Sequence, residues 1–290
     1  MANFKIVSDS SCDFEPNLAK EQDITLIPFY ITLDGTNYFK EGVDLQKDEF
    51  YKRLVTENAY PKTSLPSPQD YIDAYRPILE SGFDIFSLTI TSKFSGSYQS
   101  AHTAANTLLE EFPDRKISIV DSFQVAFGQN LILWEAIARR NGGVSLEQTT
   151  KDIKTMSESS VLFFTLETLE YLKKGGRIGK GAALIGGVLG LKPVLQLKDG
   201  ELHPRSKVRG KKKAIANVID HALEYIGNNK DDYLFVVGHT ANPTESEAFR
   251  KELEENHGIK TSYPLINAGA TIGSHIGPGG VGVAIVKKIK

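Results

Sequence analysis

Short apolar runs alternate with amphipathic stretches through the first half of the chain, and that alternation predicts strands and helices in turn. Residues 5–11 form an apolar run ending in Asp9-Ser10-Ser11, a first buried strand. Residues 24–33 predict a second, β-branched strand, interrupted at Pro28. Asp34-Gly35 is a hairpin signal, so Tyr38-Phe39 should fold back as a short antiparallel arm. Phe50, Leu54 and Val55 recur at helical spacing within residues 48–57. Pro61, Pro66 and Pro68 then forbid a regular element and predict a stiff, extended loop that presents Thr63 and Ser64. The same pattern also fits a plain proline-rich connector. Ser67 caps the next helix, with Pro68 at its first position, and the helix runs to about Ser81.

An apolar run over residues 83–90 predicts a buried strand, followed by Thr91-Ser92-Lys93-Phe94-Ser95-Gly96-Ser97. A helix begins near Ser97 and continues to about Glu111. Hydroxyls and a glycine at such a turn offer an anion side-chain donors and the unpaired N–H groups of a helix start. Open α/β sheets place ligands at the carboxyl ends of their strands, where this turn falls. It fits an N-cap cluster equally, and the turn alone leaves both readings open. Residues 117–122 repeat the first strand's form, an apolar run closed by Asp121-Ser122. Residues 127–140 read as an apolar helix stopped at Asn141-Gly142-Gly143. This half therefore predicts a doubly wound parallel sheet.

The second half has a different rhythm. A helix over residues 146–156 leads to a strand at 161–165 and a short helix at 166–174. Residues 192–197 and Leu202-His203-Pro204 flank Asp199-Gly200, a second hairpin signal. Val208-Arg209-Gly210-Lys211-Lys212-Lys213 opens a helix to about Ile226, a buried strand covers 233–238, and a helix covers 244–256. A glycine-rich loop is expected from Ala268 to Gly282, before a terminal strand at 283–286. Hairpins beside strand–helix units predict a mixed-sheet α/β domain. The expected division is residues 1–160 and 161–290.

Composition narrows the class. The chain has 290 residues, 40% hydrophobic and 24% charged, ordinary for a globular protein that needs no metal or disulfide staple. A net charge of −2 gives no whole-chain field for nucleic acid or an anionic membrane. The single cysteine, Cys12, excludes an intrachain disulfide and fits a reducing cytosol. The start of the chain lacks the apolar core of a signal peptide, and residues 181–191 are too short and glycine-rich to span a bilayer. A cytoplasmic protein without stable membrane insertion is expected.

Several familiar motifs fail on context. Gly277-Pro278-Gly279-Gly280-Val281-Gly282 has the spacing of a dinucleotide fingerprint, but a strand-like segment follows it where a helix is required. Gly175-Gly176-Arg177-Ile178-Gly179-Lys180 is one residue short of a phosphate loop and lacks its final Ser or Thr. No sequence spacing suggests a metal site, and no G-x-S-x-G elbow occurs. A convergent Ser–His–Asp set (Ser95 or Ser97, His275, Asp9 or Asp121) stays open, because triads are geometric. His275 sits among glycines that permit close approach of a ligand, and it reads as a site residue against the usual core or surface histidine. The basic groups at Lys173, Lys174 and Arg177 and at residues 211–213 fit either solvated helix faces or a docking patch.

Together the pieces resemble the DegV family of bacterial fatty-acid-binding proteins. The matching features are Val7-Ser8-Asp9-Ser10-Ser11, Lys62-Thr63-Ser64-Leu65-Pro66-Ser67 and Phe94-Ser95-Gly96-Ser97-Tyr98-Gln99-Ser100-Ala101. They continue with Leu169-Glu170-Tyr171-Leu172-Lys173-Lys174-Gly175-Gly176-Arg177-Ile178, Leu191-Lys192-Pro193 and Lys207-Val208-Arg209. The last is Gly273-Ser274-His275-Ile276-Gly277-Pro278-Gly279. The resemblance runs in order through nearly the whole chain. Phe94 and Ile276 depart from it, where Leu and Thr are expected.

The resemblance implies a two-domain α/β fold, with a Rossmann-like domain at 1–160, a mixed α/β domain at 161–290 and one long-chain fatty acid buried between them. It implies that Thr63 and Ser95 hydrogen-bond the carboxylate, with Ser64, Gly96 and His275 close by. It also implies a carrier without catalytic residues, cofactor or metal, which presents the carboxyl group to a separate fatty-acid kinase. The resulting acyl phosphate goes on to phospholipid synthesis, and Arg177 and Arg209 are expected to contact the partner or the acyl phosphate. A palmitate-length chain has about fourteen methylenes, each worth about 0.8 kcal/mol on burial, so a dry tunnel supplies on the order of 10 kcal/mol before ordering costs. Gly186-Gly187-Val188-Leu189-Gly190-Leu191 is a candidate tunnel wall. Two other classes stand beside the carrier. One is an acyl-ester hydrolase using Ser95 or Ser97 with His275; the other is a lipid-sensing regulator that docks through Arg177, Arg209 and residues 211–213.

Overall fold

The computed structural model describes residues 3–57, 59–184 and 190–289. The chain begins with β1 (Phe4–Asp9), α1 (Pro16–Glu21), β2 (Ile24–Ile27), β3 (Tyr30–Thr32), β4 (Phe39–Lys40), α2 (Lys47–Thr56) and β5 (Lys62–Ser64). It continues through α3 (Pro68–Glu80), β6 (Asp84–Thr89), α4 (Ser97–Glu111), β7 (Ile117–Asp121), α5 (Ala126–Asn141) and α6 (Leu146–Glu158). Strands β2, β1, β6 and β7 form a parallel sheet in that order. Alternation along each strand separates its faces. Val7, Ile85 and Ile119 pack with Tyr71 and Tyr75 of α3 and the alanines of α4. Ile6, Phe86 and Val120 point to the opposite core, shared with α5 and α6. The start of α3 is a capping box, in which Ser67 Oγ accepts from the Asp70 N–H and Asp70 accepts from the Ser67 N–H.

The rest of the chain is β8 (Val161–Thr165), α7 (Glu170–Lys174), β9 (Leu191–Lys198), β10 (Glu201–Arg209), α8 (Lys211–Ile226) and β11 (Tyr233–His239). It closes with α9 (Pro243–His257), β12 (Ile266–Asn267), α10 (Ala270–Ile276) and β13 (Val281–Lys287). These strands make a mixed sheet ordered β10-β9-β8-β13-β11-β12, antiparallel except between β11 and β12. Val161, Phe163, Val283 and Ile285 pack against α8 and α9. Leu162, Phe164, Ala284 and Val286 face the other way and join the core of α5 and α6. One apolar core thus lies between the two sheets, with α5 inside it.

Several expectations change. The single strand over 24–33 is two strands in different sheets. Pro28 lacks an N–H, so the ladder stops there, and the next N–H, of Phe29, donates instead to Ser10 Oγ at 2.9 Å. The proline-rich loop contains β5, because Pro61 and Pro66 bracket four residues that keep their donors, and the first three of them form the strand. Those residues pair antiparallel with β3, Ile31 opposite Thr63, in a third sheet ordered β4-β3-β5. The expected helix from Val208 starts at Lys211; Val208 and Arg209 belong to β10, whose register shifts between Pro204 and Ser206. The helix expected over 166–174 is only α7. The glycine-rich loop at 268–282 contains α10, and the core of Ile31, Phe50, Tyr51 and Leu54 covers it at Ala270. Residues 186–189 of the proposed tunnel wall fall outside the described residues.

Candidate functional site

The strand-to-helix turn over residues 91–97 is held from both sides by the acids that end β1 and β7. Asp9 is fully buried: its Oδ2 accepts from the Ile90 N–H and Ser97 Oγ, both at 2.9 Å. Its Oδ1 takes Ser11 Oγ at 2.5 Å and Gln129 Nε2 at 3.1 Å. Asp121 accepts from the Ser92 N–H at 3.1 Å and the Phe123 N–H at 2.9 Å. Burial raises the Asp9 carboxyl against four donors that favour its charge. The repeated Asp-Ser at strand ends was the sequence signal for this clasp.

Ser95 projects from that turn, and its Oγ accepts from the Ser97 N–H at 3.2 Å. Thr63 comes from β5 and meets His275, near the end of α10, with Oγ1 and Nε2 2.9 Å apart. The other ring nitrogen, Nδ1, is buried without a partner. Gly175 makes room for it: a Cβ there would lie 2.3 Å from Nδ1. Burial, with the charge of Arg177 behind it, pushes the imidazole down to about 4, so the ring is neutral at pH 7. Arg177 is fixed by its own donors, Nε to the Phe94 carbonyl at 3.2 Å and Nη1 to the Gly175 carbonyl at 2.8 Å.

Thr63, Ser64, Ser95, Arg177 and His275 all line one cavity of about 180 Å³. Its remaining wall is largely apolar, with Phe164 and Leu197 from the mixed sheet, Ile272 from α10, and Phe29 and Val125 from the connections before β3 and α5. Phe94 and Ile276, the two departures from the family pattern, line it as well. Val125, Phe164, Ile272 and Ile276 also border a smaller space of about 30 Å³, reached by Phe127, Leu162 and His239. Gly96 does not line the cavity; it is the N-cap of α4, with Leu65 beside it. Arg209 lies apart, exposed at the end of β10 opposite Leu191.

Two further carboxyls hold α10 in place, and sequence reasoning did not single them out. Glu41 Oε1 accepts from the Thr271 N–H at 2.8 Å, and its Oε2 accepts from Ser10 Oγ at 2.6 Å and Thr271 Oγ1 at 2.5 Å. Asp13 Oδ1 accepts from the Gly269 N–H at 2.7 Å. Both carboxyls are buried and raised by that burial. Nothing in the local sequence marks either residue, because its partner is more than two hundred positions away.

The arrangement bears on the hydrolase reading. Ser97 Oγ is buried between Asp9 and the Tyr71 hydroxyl at 2.6 Å, and His275 is engaged with Thr63. Among the described residues neither Ser95 nor Ser97 hydrogen-bonds His275. No group of three or more His, Cys, Asp or Glu side chains among them could hold a metal. No helix among them is long and apolar enough to cross a membrane.

A family model described as "uncharacterised protein, DegV family" matches residues 3–288. The chain belongs to the DegV family. A DegV domain-containing protein of Caldanaerobacter subterraneus subsp. tengcongensis is 33% identical, covering 99% of this chain and 100% of its own. Among solved structures, a stearic acid-binding protein from Eubacterium ventriosum superposes with a TM-score of 0.94 at 37% identity, covering 98% of each chain. A DegV family protein from Thermus thermophilus, described by its fatty acid binding, gives a TM-score of 0.89 at 30% identity, covering 99% of this chain and 100% of that one. The two-sheet architecture is therefore that of fatty-acid-binding DegV proteins.

Proposed function

We propose that this DegV protein is a cytoplasmic carrier that binds one long-chain fatty acid between its 1–160 and 161–290 halves, and does no chemistry on it. The observation that carries the reading is the meeting of Thr63, Ser95 and His275 at an apolar-walled cavity. An unpaired buried carboxylate is strongly disfavoured, so a fatty-acid site needs donors at one end and dry walls at the other. In one tautomer His275 Nε2–H donates to Thr63 Oγ1, which leaves the Thr63 hydroxyl proton free to point at the ligand. Ser95 Oγ–H is the second donor, Ser64 stands beside them, and the Arg177 guanidinium supplies positive charge without a direct clamp. Gly96 has no part in lining this site, and its contribution is to start α4. The acyl chain would follow the apolar walls toward Phe164 and Ile272.

The same reading has the carboxyl group presented to a separate fatty-acid kinase, with the acyl phosphate passed to phospholipid synthesis. Support for this step is the family resemblance together with exposed Ser64 at the head-group end; Arg177 and Arg209 are the proposed partner contacts. The test is native mass spectrometry of freshly purified protein. It should show an excess mass that is lost on denaturation and identified as a fatty acid after solvent extraction. Protein that is empty and also takes up no added fatty acid would overturn the carrier reading.

A further inference from the structure

A second cavity, of about 460 Å³, opens beside the start of α10, where Gly269 and Ala270 line it. The fatty-acid cavity is instead lined by Thr271, Ile272, His275 and Ile276, so the two spaces meet the same helix at different residues. The second cavity has an apolar side, with Phe14, Pro16, Ala19, Ile24, Leu26 and Pro28, and a charged side. Its charged residues are Asp13, Glu15, Asp23 and Glu41 against Lys20 and Lys47. Most of these are already engaged. Lys47 pairs with Glu15 at 2.6 Å, Asp23 pairs with Lys5, and both oxygens of Glu41 hold Ser10 and Thr271.

Asp13 is different. It is 6% exposed, its Oδ1 takes the Gly269 N–H, and its Oδ2 has no hydrogen-bond partner. A buried carboxyl oxygen without a partner is a standing penalty, and burial raises Asp13 for that reason; a cation brought to it offsets the desolvation and holds the carboxylate ionised. An anionic ligand would face four acidic side chains, and a neutral apolar one would leave the Asp13 oxygen unfilled. A ligand that brings its own charged N–H donor satisfies Asp13, and its hydrocarbon part suits the opposite wall.

We propose that this cavity is a second ligand site, specific for a small protonated amine with an apolar body, its ammonium group on Asp13 and its body against Phe14, Ile24 and Leu26. The site neither uses nor requires the fatty-acid cavity. Its test uses fatty-acid-loaded protein at pH 7 and three probes of one shape: phenethylamine, 2-phenylethanol and phenylacetate. Calorimetric and NMR titrations should show saturable binding of the amine, with amide shifts at Gly269 and Ala270 rather than at Thr63 and His275. The alcohol and the acid should bind at least about tenfold more weakly.

Asp13→Asn keeps an acceptor for the Gly269 N–H and should lower amine affinity about tenfold while leaving the alcohol unchanged. Val43 lines the rim and is 63% exposed, so charge placed there does not disturb folding. Val43→Lys should weaken amine binding and Val43→Glu should strengthen it. Equal affinity for amine and alcohol, preferred binding of phenylacetate, shifts confined to Thr63 and His275, or no saturable binding of any probe would each overturn the proposal. So would amine affinity that is indifferent to both Val43 variants. Because the probes are titrated into loaded protein, these outcomes leave the carrier reading where its own test puts it.

Discussion

Thr63 and His275 are 212 positions apart in sequence and 2.9 Å apart in space, and the proposed head-group site rests on that contact. Thr63→Val and Ser95→Ala each remove a donor while keeping shape or nearly so, and each should weaken fatty-acid binding roughly tenfold. Full affinity in the double variant, measured by displacement of a fluorescent fatty acid, would move the carboxylate elsewhere. Gly175→Ala tests the imidazole from outside the site. The backbone at Gly175 is right-handed helical, with φ −75°, so alanine is conformationally acceptable there, yet its Cβ would meet Nδ1. Affinity should fall in the His275 background and change far less when His275 is already Ala. Equal losses in both backgrounds would show that the glycine does not act through the ring. The hydroxyls and His275 were legible because their neighbours in sequence are distinctive. Asp13, Glu41 and Gly175 were not: a carboxylate's burial is invisible in sequence, and Gly175 looked like part of a failed phosphate loop.

At the scale of elements, α10 was the one most hidden by composition. Glycines at 269, 273 and 277 read as a loop; Gly269 and Gly277 flank the helix, and only Gly273 lies inside it, where glycine costs about 1 kcal/mol relative to alanine. Packing decides otherwise at Gly273, where a Cβ would lie 2.7 Å from both Phe50 Cε1 and the Tyr51 hydroxyl oxygen. Gly273→Ala should therefore destabilise the protein by about 1–3 kcal/mol in urea denaturation, despite alanine's better helix propensity. A more stable variant would mean that α10 is not pressed against α2. The three-stranded sheet was similarly half legible. The Asp34-Gly35 hairpin was plain, but the pairing of β5 with β3 is non-local and had no local pattern to announce it. By contrast, the strand–helix alternation of the first half and the 199–200 hairpin were readable, because period-two and period-3.6 patterns are local properties of the chain.

For the whole molecule, burial of titratable groups makes stability depend on pH. His275 ordinarily titrates near 6.5 and is pushed down to about 4 in the fold. Between those values the unfolded ring takes a proton that the folded ring refuses, so its contribution to stability is present at neutral pH and lost as pH falls through the window. His239, also pushed down to about 4 by burial, adds with the same sign. Asp9, Asp13 and Glu41 are raised and add with the opposite sign, because the folded state protonates them first. The difference between the parent and His275→Asn isolates the imidazole. Urea denaturation from pH 7 to pH 4 should show the parent losing on the order of 3 kcal/mol more than the variant. Parallel profiles would mean that the ring is solvated in the folded protein.

Phe164 faces the apolar core between the two sheets and also walls the proposed fatty-acid cavity. An acyl chain lying against it is, in packing terms, a core residue supplied from solution. The melting temperature of such a protein follows mass action: a ligand at a hundred times its dissociation constant adds about 2.7 kcal/mol to stability. Under the carrier reading, thermal stability serves as a gauge of free fatty acid.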